Sequence, residues 1–343
     1  MNFSDEILVW YGKNKRTLPW RSTRNPYNIW LSEIMLQQTR VAQGLPYYEK
    51  FIEEFPTVND MAAASEERVL KLWQGLGYYS RARNMHATAK MVVHDFNGKF
   101  PQTYKGLIKL KGVGDYTASA ISSICFDEPE PVVDGNVYRV LARYYGIDLA
   151  INSSEGIKYF KNLAREVMNT DNIRDYNQGI MEFGAIQCAP KKPYCLHCPL
   201  SENCVALAQN RIHELPVKLK KAKVKQKHFN YLVFLDSKKN TVLEQRIGKG
   251  IWQNLYQFPL IETNKQSHLY DIKLEVEKTF ANLNPFEISA FNEKPIVHKL
   301  SHQHLHTKFW IIQLEGALPR GISWKNLENY PVPVLIADFI RSF

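Results

Sequence analysis

The most informative stretch for the fold is Leu110-Lys-Gly-Val-Gly-Asp-Tyr-Thr-Ala118. Its two glycines bracket Val113, and glycine permits both a tight turn and a close approach of backbone N–H groups to a phosphate. Helical patterns flank the stretch, so a helix N-terminus follows the turn and adds to the attraction for anions. The pattern predicts a hairpin between two helices that holds a phosphate backbone, although a plain helix–helix turn would use similar residues.

Outward from this hairpin, residues 3 to about 208 have a mainly helical pattern. Apolar residues recur at helical spacing, as at Leu31, Ile34 and Met35, and only short breakers separate such runs. The sequence therefore predicts a largely helical N-terminal domain.

The C-terminal third has a different pattern. Residues 211–228 carry seven lysines and arginines against one acid, which predicts a charged, extended linker that either follows phosphates or only connects two domains. Beyond it, Tyr231–Leu235 and Phe309–Leu314 favour strands, and Ile272–Phe280 favours a helix. Residues 229–343 are therefore expected to form an α+β domain.

Composition narrows the class of protein. The 343 residues are 45% hydrophobic and 23% charged, which excludes disorder as the main state and suits about two domains. No apolar run approaches the length of about 18 residues that a membrane span needs, and the N-terminal apolar run is too short for a secretory signal, so the cytoplasm is the expected location. The net charge of +10 favours a polyanionic partner.

Four of the five cysteines form a cluster with C-x6-C-x2-C-x5-C spacing: Cys188, Cys195, Cys198 and Cys204. A reducing compartment disfavours structural disulfides, so a metal site is expected. Zinc sites usually pair short C-x2–4-C steps, and only one such step is present, so the spacing favours a 4Fe–4S cluster over zinc. The fifth, Cys125, lies in an apolar run and is expected in the core.

Residues 18–204 resemble the MutY adenine DNA glycosylases, a branch of the endonuclease III-like helix–hairpin–helix superfamily, almost without gaps. The matching segments are Leu18–Arg21, Trp30–Thr39, Trp73–Asn84, the hairpin, Val132–Val137 and the cysteine cluster. The resemblance implies an all-α catalytic domain over residues 1–210, with the hairpin at about 103–126 and an iron–sulfur loop at 188–204. It also implies an enzyme of base excision repair that removes adenine opposite 8-oxoguanine or guanine in double-stranded DNA.

Two carboxylates carry the implied chemistry. Asp134 stands in an Asp-Gly-Asn turn, where an acid is ordinarily a turn former or a helix N-cap. Glu33 lies on a predicted helix, on a polar face with Gln37 and Arg40, where an acid is usually solvated. The resemblance implies instead that Glu33 protonates the adenine, which needs a pKa raised by an apolar pocket, and that ionised Asp134 stabilises the oxocarbenium-like sugar.

The position two residues after the second hairpin glycine separates the branches of the superfamily. Bifunctional relatives carry a nucleophilic lysine there, and this chain has Tyr116, so no Schiff base forms by that route and hydrolysis by water is expected. Tyr116 and Asn136 match supporting residues around the two acids. The alternatives are another endonuclease III-like glycosylase, for oxidised pyrimidines or mismatches, and a binding module without catalysis.

The resemblance also implies a set of DNA contacts. Gln38 and Tyr78 match residues that insert around the base opposite the adenine; a surface amide and a core tyrosine are the alternatives. The other predicted contacts are Gln37, Arg81, the hairpin residues Gly112, Val113 and Gly114, and Lys191 within the cysteine loop.

Residues 229–343 resemble the Nudix-like recognition domain of the same proteins, but the run of glutamates that a Nudix hydrolase needs is missing, so nucleotide hydrolysis is not expected. In the histidine-rich stretch His298–His306, the spacing of two favours one face of a strand over a metal site. Leu300-Ser301-His302 matches a loop that contacts 8-oxoguanine, with Leu in place of Phe. Ser301 and His302 are the predicted readers of the damaged base, and a monomer is expected.

Overall fold

The computed structural model describes residues 2–220, 224–280 and 285–343, apart from the side chains of residues 285 and 286. Two compact units are present. The first comprises residues 1–63 and 84–220, and the second comprises residues 64–83 and 221–343. The segment 64–83 therefore groups with the C-terminal residues, which differs from the boundary predicted at residue 210. No helix among the described residues is long and apolar enough to span a membrane.

The helices are α1 (Phe3–Asn14), α2 (Pro26–Leu36), α3 (Val41–Glu54), α4 (Val58–Ala63), α5 (Glu66–Leu72), α6 (Ser80–Phe96), α7 (Tyr104–Leu107), α8 (Asp115–Phe126), α9 (Gly135–Tyr145), α10 (Ser154–Val167), α11 (Ile173–Ile186), α12 (Val205–Ala208), α13 (Leu269–Phe280) and α14 (Val334–Ser342). The strands are β1 (Lys225–Leu235), β2 (Asn240–Thr241), β3 (Glu244–Gln245), β4 (Tyr256–Gln257), β5 (Leu260–Thr263), β6 (Pro285–Ala290), β7 (Ile296–Lys299), β8 (Gln303–Leu314) and β9 (Ile322–Ser323).

The core of the first unit lies between α2, α8 and α11, with α1 and α9 packed on α11. Helix α2 begins at Pro26, after Asn25 accepts a hydrogen bond from the Tyr27 amide at 2.9 Å, and it is buried on every side from Ile29 to Met35. A helix without a solvated face belongs to the interior. The prediction that Glu33 and Arg40 share one face of a helix is therefore wrong, because α2 ends at Leu36 and Arg40 lies just before α3.

The predicted hairpin joins α7 to α8. Gly112 has φ +78°, and a Cβ atom there would lie 2.7 Å from the Cβ of Asn84, so both the conformation and the space require glycine. Gly114 precedes the first residue of α8, as the sequence predicted. The hairpin thus delivers the N-terminus of a buried helix to the surface.

The second unit is built on a sheet with strand order β5-β1-β8-β6, in which β7 also pairs with β8. Strands β1 and β8 run parallel, and the other pairs in this sheet are antiparallel. One face packs on α13 through an apolar cluster that includes Leu232, Trp310 and Val276. On α14, the ring of Phe339 stacks on Phe309 of β8 at 4.0 Å. The expected α+β organisation is confirmed.

The predicted linker at 211–228 is shorter in the structure. Leu215 is buried, its carbonyl accepts a hydrogen bond from Arg143 at 3.1 Å, and the Leu219 amide donates to Asn152 at 2.8 Å. These contacts fasten residues up to 220 to the first unit. The lysines at 221 and 223 lie outside the described residues, and β1 begins at Lys225.

Candidate active site

A cavity of about 560 Å³ in the first unit brings together all four predicted catalytic residues. Its walls come from α2, α8, the N-terminus of α9, α11 and the segment before α2. The lining residues that bear functional groups are Arg16, Arg21, Glu33, Thr39, Arg40, Tyr116, Asp134, Asn136, Gln178, Met181 and Glu182. Residues separated by more than 100 positions in the sequence therefore share one site.

Glu33 projects from the interior helix α2 and is only 9% exposed. Burial raises the pKa of its carboxyl from 4.5 to about 7, and the nearby Asp134 raises this pKa further. A hydrogen bond with Tyr116 and the charge of Arg21 oppose the rise. An acid whose pKa lies near neutral pH can both hold and release a proton there, which is the property of a general acid.

Asp134 caps helix α9 and lines the cavity at the same time. Its Oδ1 accepts hydrogen bonds from the amides of Asn136 and Val137 at 2.8 and 2.9 Å, and its Oδ2 accepts one from the Asn136 side chain at 2.7 Å. Burial raises the Asp134 pKa, and these donors oppose the rise by stabilising the ionised form. The capping role and the catalytic role are thus compatible, since the cap fixes a carboxylate against the cavity.

Tyr116 and Asn136 hold the two acids in place. The Tyr116 hydroxyl lies 3.1 Å from Met181 Sδ and also forms a hydrogen bond with Glu33. Burial raises the pKa of this phenol well above its usual value, so it stays neutral. The side-chain oxygen of Asn136 accepts a hydrogen bond from Arg139 at 2.9 Å, which leaves the side-chain NH2 of Asn136 directed to Asp134.

An ion cluster of Arg16, Arg21 and Glu182 forms one wall, and the sequence analysis did not identify it. The Glu182 side chain is 1% exposed, and both guanidinium groups bind it, with N–O distances from 2.5 to 2.9 Å. Burial alone would raise the Glu182 pKa, but these hydrogen bonds bring it to about 2. Arg21 stood within a motif quoted from the sequence, but only the fold shows its partner on α11.

The hairpin residues are placed as a phosphate contact requires, with one correction. Within the described part of the chain, the amides of Gly112 and Gly114 have no acceptor, whereas the Val113 amide donates to the Leu110 carbonyl at 3.1 Å. The Val113 side chain is 6% exposed. Val113 therefore shapes the turn from inside, and the two glycine amides are the donors left for a phosphate.

Gln38 and Tyr78, the predicted inserting residues, both have left-handed backbones. Gln38 is exposed with φ +55°, and Tyr78 is 46% exposed with φ +48°. The left-handed region disfavours a residue other than glycine by about 1–2 kcal/mol, and such strain is common at functional sites. Gln37 is different, because its half-buried amide donates to Thr117 at 3.2 Å.

Arg81, a predicted DNA contact, is buried in the structure. It is 9% exposed, and its guanidinium donates to the Gly77 carbonyl at 3.1 Å and lies 5.5 Å from the Tyr78 ring centre. Burial lowers the Arg81 pKa to about 10. This side chain is placed to order the Tyr78 turn rather than to bind a phosphate directly.

The loop predicted to read the damaged base is a tight turn between β7 and β8. The Leu300 amide donates to the Gln303 carbonyl at 2.9 Å, and Ser301 and His302 are exposed at the tip. Along β8 the buried Leu305 alternates with the half-buried His304 and His306, whereas His298 lies on β7 and His302 in the turn, so the predicted single strand face holds only for His304 and His306.

The cysteine loop fits a thiolate-bound group in its chemistry. The four thiols are partly buried and none forms a disulfide, and the Arg143 guanidinium donates to Cys188 Sγ at 3.4 Å. Burial raises the pKa of the thiols of Cys195, Cys198 and Cys204, and the neighbouring Cys188 raises it further. Over the residues described, however, no three potential ligands are close enough to hold a metal ion. Lys191 is exposed on this loop.

Residues 31–176 match the HhH-GPD superfamily of base excision DNA repair proteins, and residues 230–342 match the NUDIX domain. The hairpin, the two acids that line one cavity and these matches define an enzyme of DNA base excision repair, with DNA as its substrate. The chain belongs to the adenine DNA glycosylase family, because it aligns along nearly its whole length with curated members of that family.

Two relatives and one structure illustrate the match. The adenine DNA glycosylase of Buchnera aphidicola subsp. Baizongia pistaciae is 38% identical, over 97% of this chain and 94% of that protein. The adenine DNA glycosylase of Rattus norvegicus is 31% identical, over 99% of this chain and 78% of that protein. A thermostable thymine-DNA glycosylase structure has a TM-score of 0.56 at 32% identity, covering 60% of this chain and 95% of that one.

Proposed function

We propose that this enzyme excises adenine mispaired with 8-oxoguanine, or with guanine, by hydrolysing the N-glycosidic bond without cutting the strand. The observation that carries the proposal is the buried cavity in which Glu33, with a pKa of about 7, faces the same space as Asp134. Relatives named adenine DNA glycosylase support adenine as the base.

The first chemical requirement is a proton for the base, because adenine leaves poorly as an anion. A flipped adenine in the cavity would receive this proton from Glu33, with N7 of the base as the acceptor. The apolar environment of α2 keeps Glu33 protonated near neutral pH, and Arg21 restrains its pKa from rising further. Once deprotonated, the same carboxylate can take a proton from the attacking water.

The second requirement is a negative charge for the sugar, which becomes oxocarbenium-like as the base departs. Asp134 supplies it from a fixed position, because three N–H donors and the start of α9 hold its carboxyl. A pair of carboxyl groups with these separate roles is the general arrangement for glycoside hydrolysis.

The absence of an amine supports hydrolysis without strand cleavage. Tyr116 occupies the position that carries the lysine nucleophile in bifunctional relatives, and its phenol stays neutral. Among the described residues that line the cavity, none is a lysine. A Schiff base with the sugar therefore has no evident donor in this site.

Binding of the duplex is assigned to surfaces outside the cavity. The amides of Gly112 and Gly114 would hold a phosphate, Gln38 and Tyr78 would fill the stack, and Ser301 and His302 would contact 8-oxoguanine. The cysteines Cys188, Cys195, Cys198 and Cys204 would hold a 4Fe–4S cluster, which orders the loop that bears Lys191. A monomer in the cytoplasm is the accompanying expectation.

The test is a single-turnover assay on three labelled duplexes, each analysed with and without alkali. They carry adenine opposite 8-oxoguanine, adenine opposite guanine, and thymine glycol opposite adenine. Abasic product from the first two, with strand breaks mainly after alkali, is the expected result. Cleavage of the thymine glycol duplex without alkali would overturn the proposal and favour a bifunctional enzyme for oxidised pyrimidines.

A further inference from the structure

The residues 64–83, called here the Tyr78 segment, are fastened to the C-terminal part of their own unit. At the middle of the segment, the Gln74 side chain accepts a hydrogen bond from the Val332 amide at 3.3 Å, and the Tyr79 hydroxyl donates to the Val332 carbonyl at 3.4 Å. Lys71 donates to the Tyr330 carbonyl at 3.3 Å. One short stretch of the C-terminal chain thus holds both sides of the Tyr78 turn.

The two ends of the segment are held by a second stretch. Asn254 donates to the Glu66 carboxylate at 2.5 Å, and Arg83 donates to the Gln253 carbonyl at 2.8 Å. Trp252 and Asn254 have left-handed backbones, with φ of +58° and +66°, so this stretch is itself a sharply turned loop. The segment is consequently clamped at its start, its middle and its end by residues more than 160 positions away.

The turn between these contacts is strained and tightly organised. Gly75, Gly77 and Tyr78 all have positive φ. The Tyr79 hydroxyl also accepts a hydrogen bond from the Gly75 amide at 3.3 Å, and the buried Trp73 donates to the Gly77 carbonyl at 2.9 Å. The Tyr79 hydroxyl therefore connects the C-terminal chain to the backbone of the Tyr78 turn.

We infer that residues 253–254 and 330–332 position Tyr78, so that the C-terminal part of the chain assists base extrusion as well as contacting the base opposite. The inference rests on the proposed function, in which Tyr78 enters the duplex. Gln74 and Tyr79 are positioning residues, because they act through the Tyr78 turn. Fixing an inserting side chain before it meets DNA reduces the entropy that binding must overcome.

This role differs measurably from reading the damaged base. Loss of a contact to 8-oxoguanine changes the preference between 8-oxoguanine and guanine. Loss of a support for Tyr78 slows extrusion whichever base lies opposite, so the excision rates on both duplexes should fall by the same factor. We expect a fall of about tenfold for Gln74→Ala/Tyr79→Phe, since hydrogen bonds of this kind contribute about 1 kcal/mol each and only part of that acts on extrusion.

The experiment measures extrusion and excision in the full-length protein. Extrusion is followed by the fluorescence of 2-aminopurine in place of the target adenine, in a Glu33→Gln background, and excision is followed by single-turnover kinetics. The variants are Gln74→Ala/Tyr79→Phe, Tyr78→Ala and the combination of all three changes. Tyr231→Phe is the matched control, because it removes a buried hydroxyl of the same unit that has no hydrogen-bond partner among the described residues.

If the contacts from residues 253–254 and 330–332 act through Tyr78, the combined variant excises adenine no more slowly than Tyr78→Ala, and Tyr231→Phe behaves as the unaltered protein. Additive losses in the combined variant would overturn the inference, as would unchanged fluorescence in Gln74→Ala/Tyr79→Phe. Thermal unfolding of each variant shows whether it is folded. If Gln74→Ala/Tyr79→Phe does not fold, the single variant Tyr79→Phe is used in its place. Failure of the unaltered protein to release adenine would refute the proposed function instead, and the fluorescence comparison would still decide the inference.

Discussion

The rate of adenine excision is expected to fall as the pH rises through about 7, because Glu33 must carry the proton that the base receives. Burial is the main cause of the rise in its pKa from 4.5 to about 7. That difference is about 2.5 pH units, or about 3.5 kcal/mol at about 1.4 kcal/mol per unit. Above this pKa, the single-turnover rate should fall about tenfold per pH unit.

Tyr116→Phe provides a sharper perturbation of the same group. The hydrogen bond from Tyr116 lowers the Glu33 pKa, so removing the hydroxyl should raise that pKa and move the alkaline fall in rate to higher pH. A hydrogen bond to a charged group contributes about 1.5–3 kcal/mol, which corresponds to a displacement of about one pH unit or more.

The assay is single-turnover excision from a duplex with adenine opposite 8-oxoguanine, between pH 5 and 9.5, with enzyme in excess. DNA affinity measured at each pH separates a loss of binding from a loss of chemistry. A rate that stays flat from pH 6 to 9, or that already falls tenfold per pH unit between pH 5 and 6, would refute the reasoning. A displacement to lower pH in Tyr116→Phe would show that the phenol acts in the opposite sense.

Three further predictions follow from the same contacts. In the folded state the Glu33 pKa lies above its unfolded value, so its contribution to stability is complete below pH 4.5 and is lost as the pH rises through about 7. The free energy of unfolding of Glu33→Gln, measured in urea, should therefore equal that of the unaltered protein at pH 4 and exceed it by up to about 3 kcal/mol at pH 8. Asp134→Asn should slow excision more than tenfold and change the free energy of unfolding by less than about 1 kcal/mol, because asparagine also caps helices; a smaller kinetic loss would count against the role in stabilising the cation. Ser301→Ala should reduce the preference for 8-oxoguanine over guanine in competition assays, and an unchanged preference would remove this turn from recognition.

Much of the architecture could be predicted because local chemistry specifies it. The pair of glycines around Val113 requires a tight turn, and the alternation from Gln303 to Phe309 requires a strand with one buried face. The burial of Glu33 could not be predicted from its helix, since a polar residue beside an apolar stripe usually meets solvent. Only the tertiary packing, with α8 against α2 and α11 against α8, encloses it.

The ion cluster and the Tyr78 segment show a second limit. Glu182 and Arg16 are 166 positions apart, and neither residue type in its local setting indicates the other. Arg81 is a DNA contact by the resemblance, and the structure directs its guanidinium to the Gly77 carbonyl. Long-range partners decide the role of a charged residue, and the local sequence does not record them.

The central claim is that Glu33, in the cavity it shares with Asp134, delivers the proton that releases adenine. The most direct measurement compares Glu33→Gln with the unaltered enzyme on adenine opposite 8-oxoguanine, by single-turnover excision and by DNA affinity on the same samples. The account predicts an excision rate lower by a factor of about 10²–10⁴, with affinity changed less than threefold. A rate within tenfold of the unaltered enzyme, at equal affinity, would contradict it.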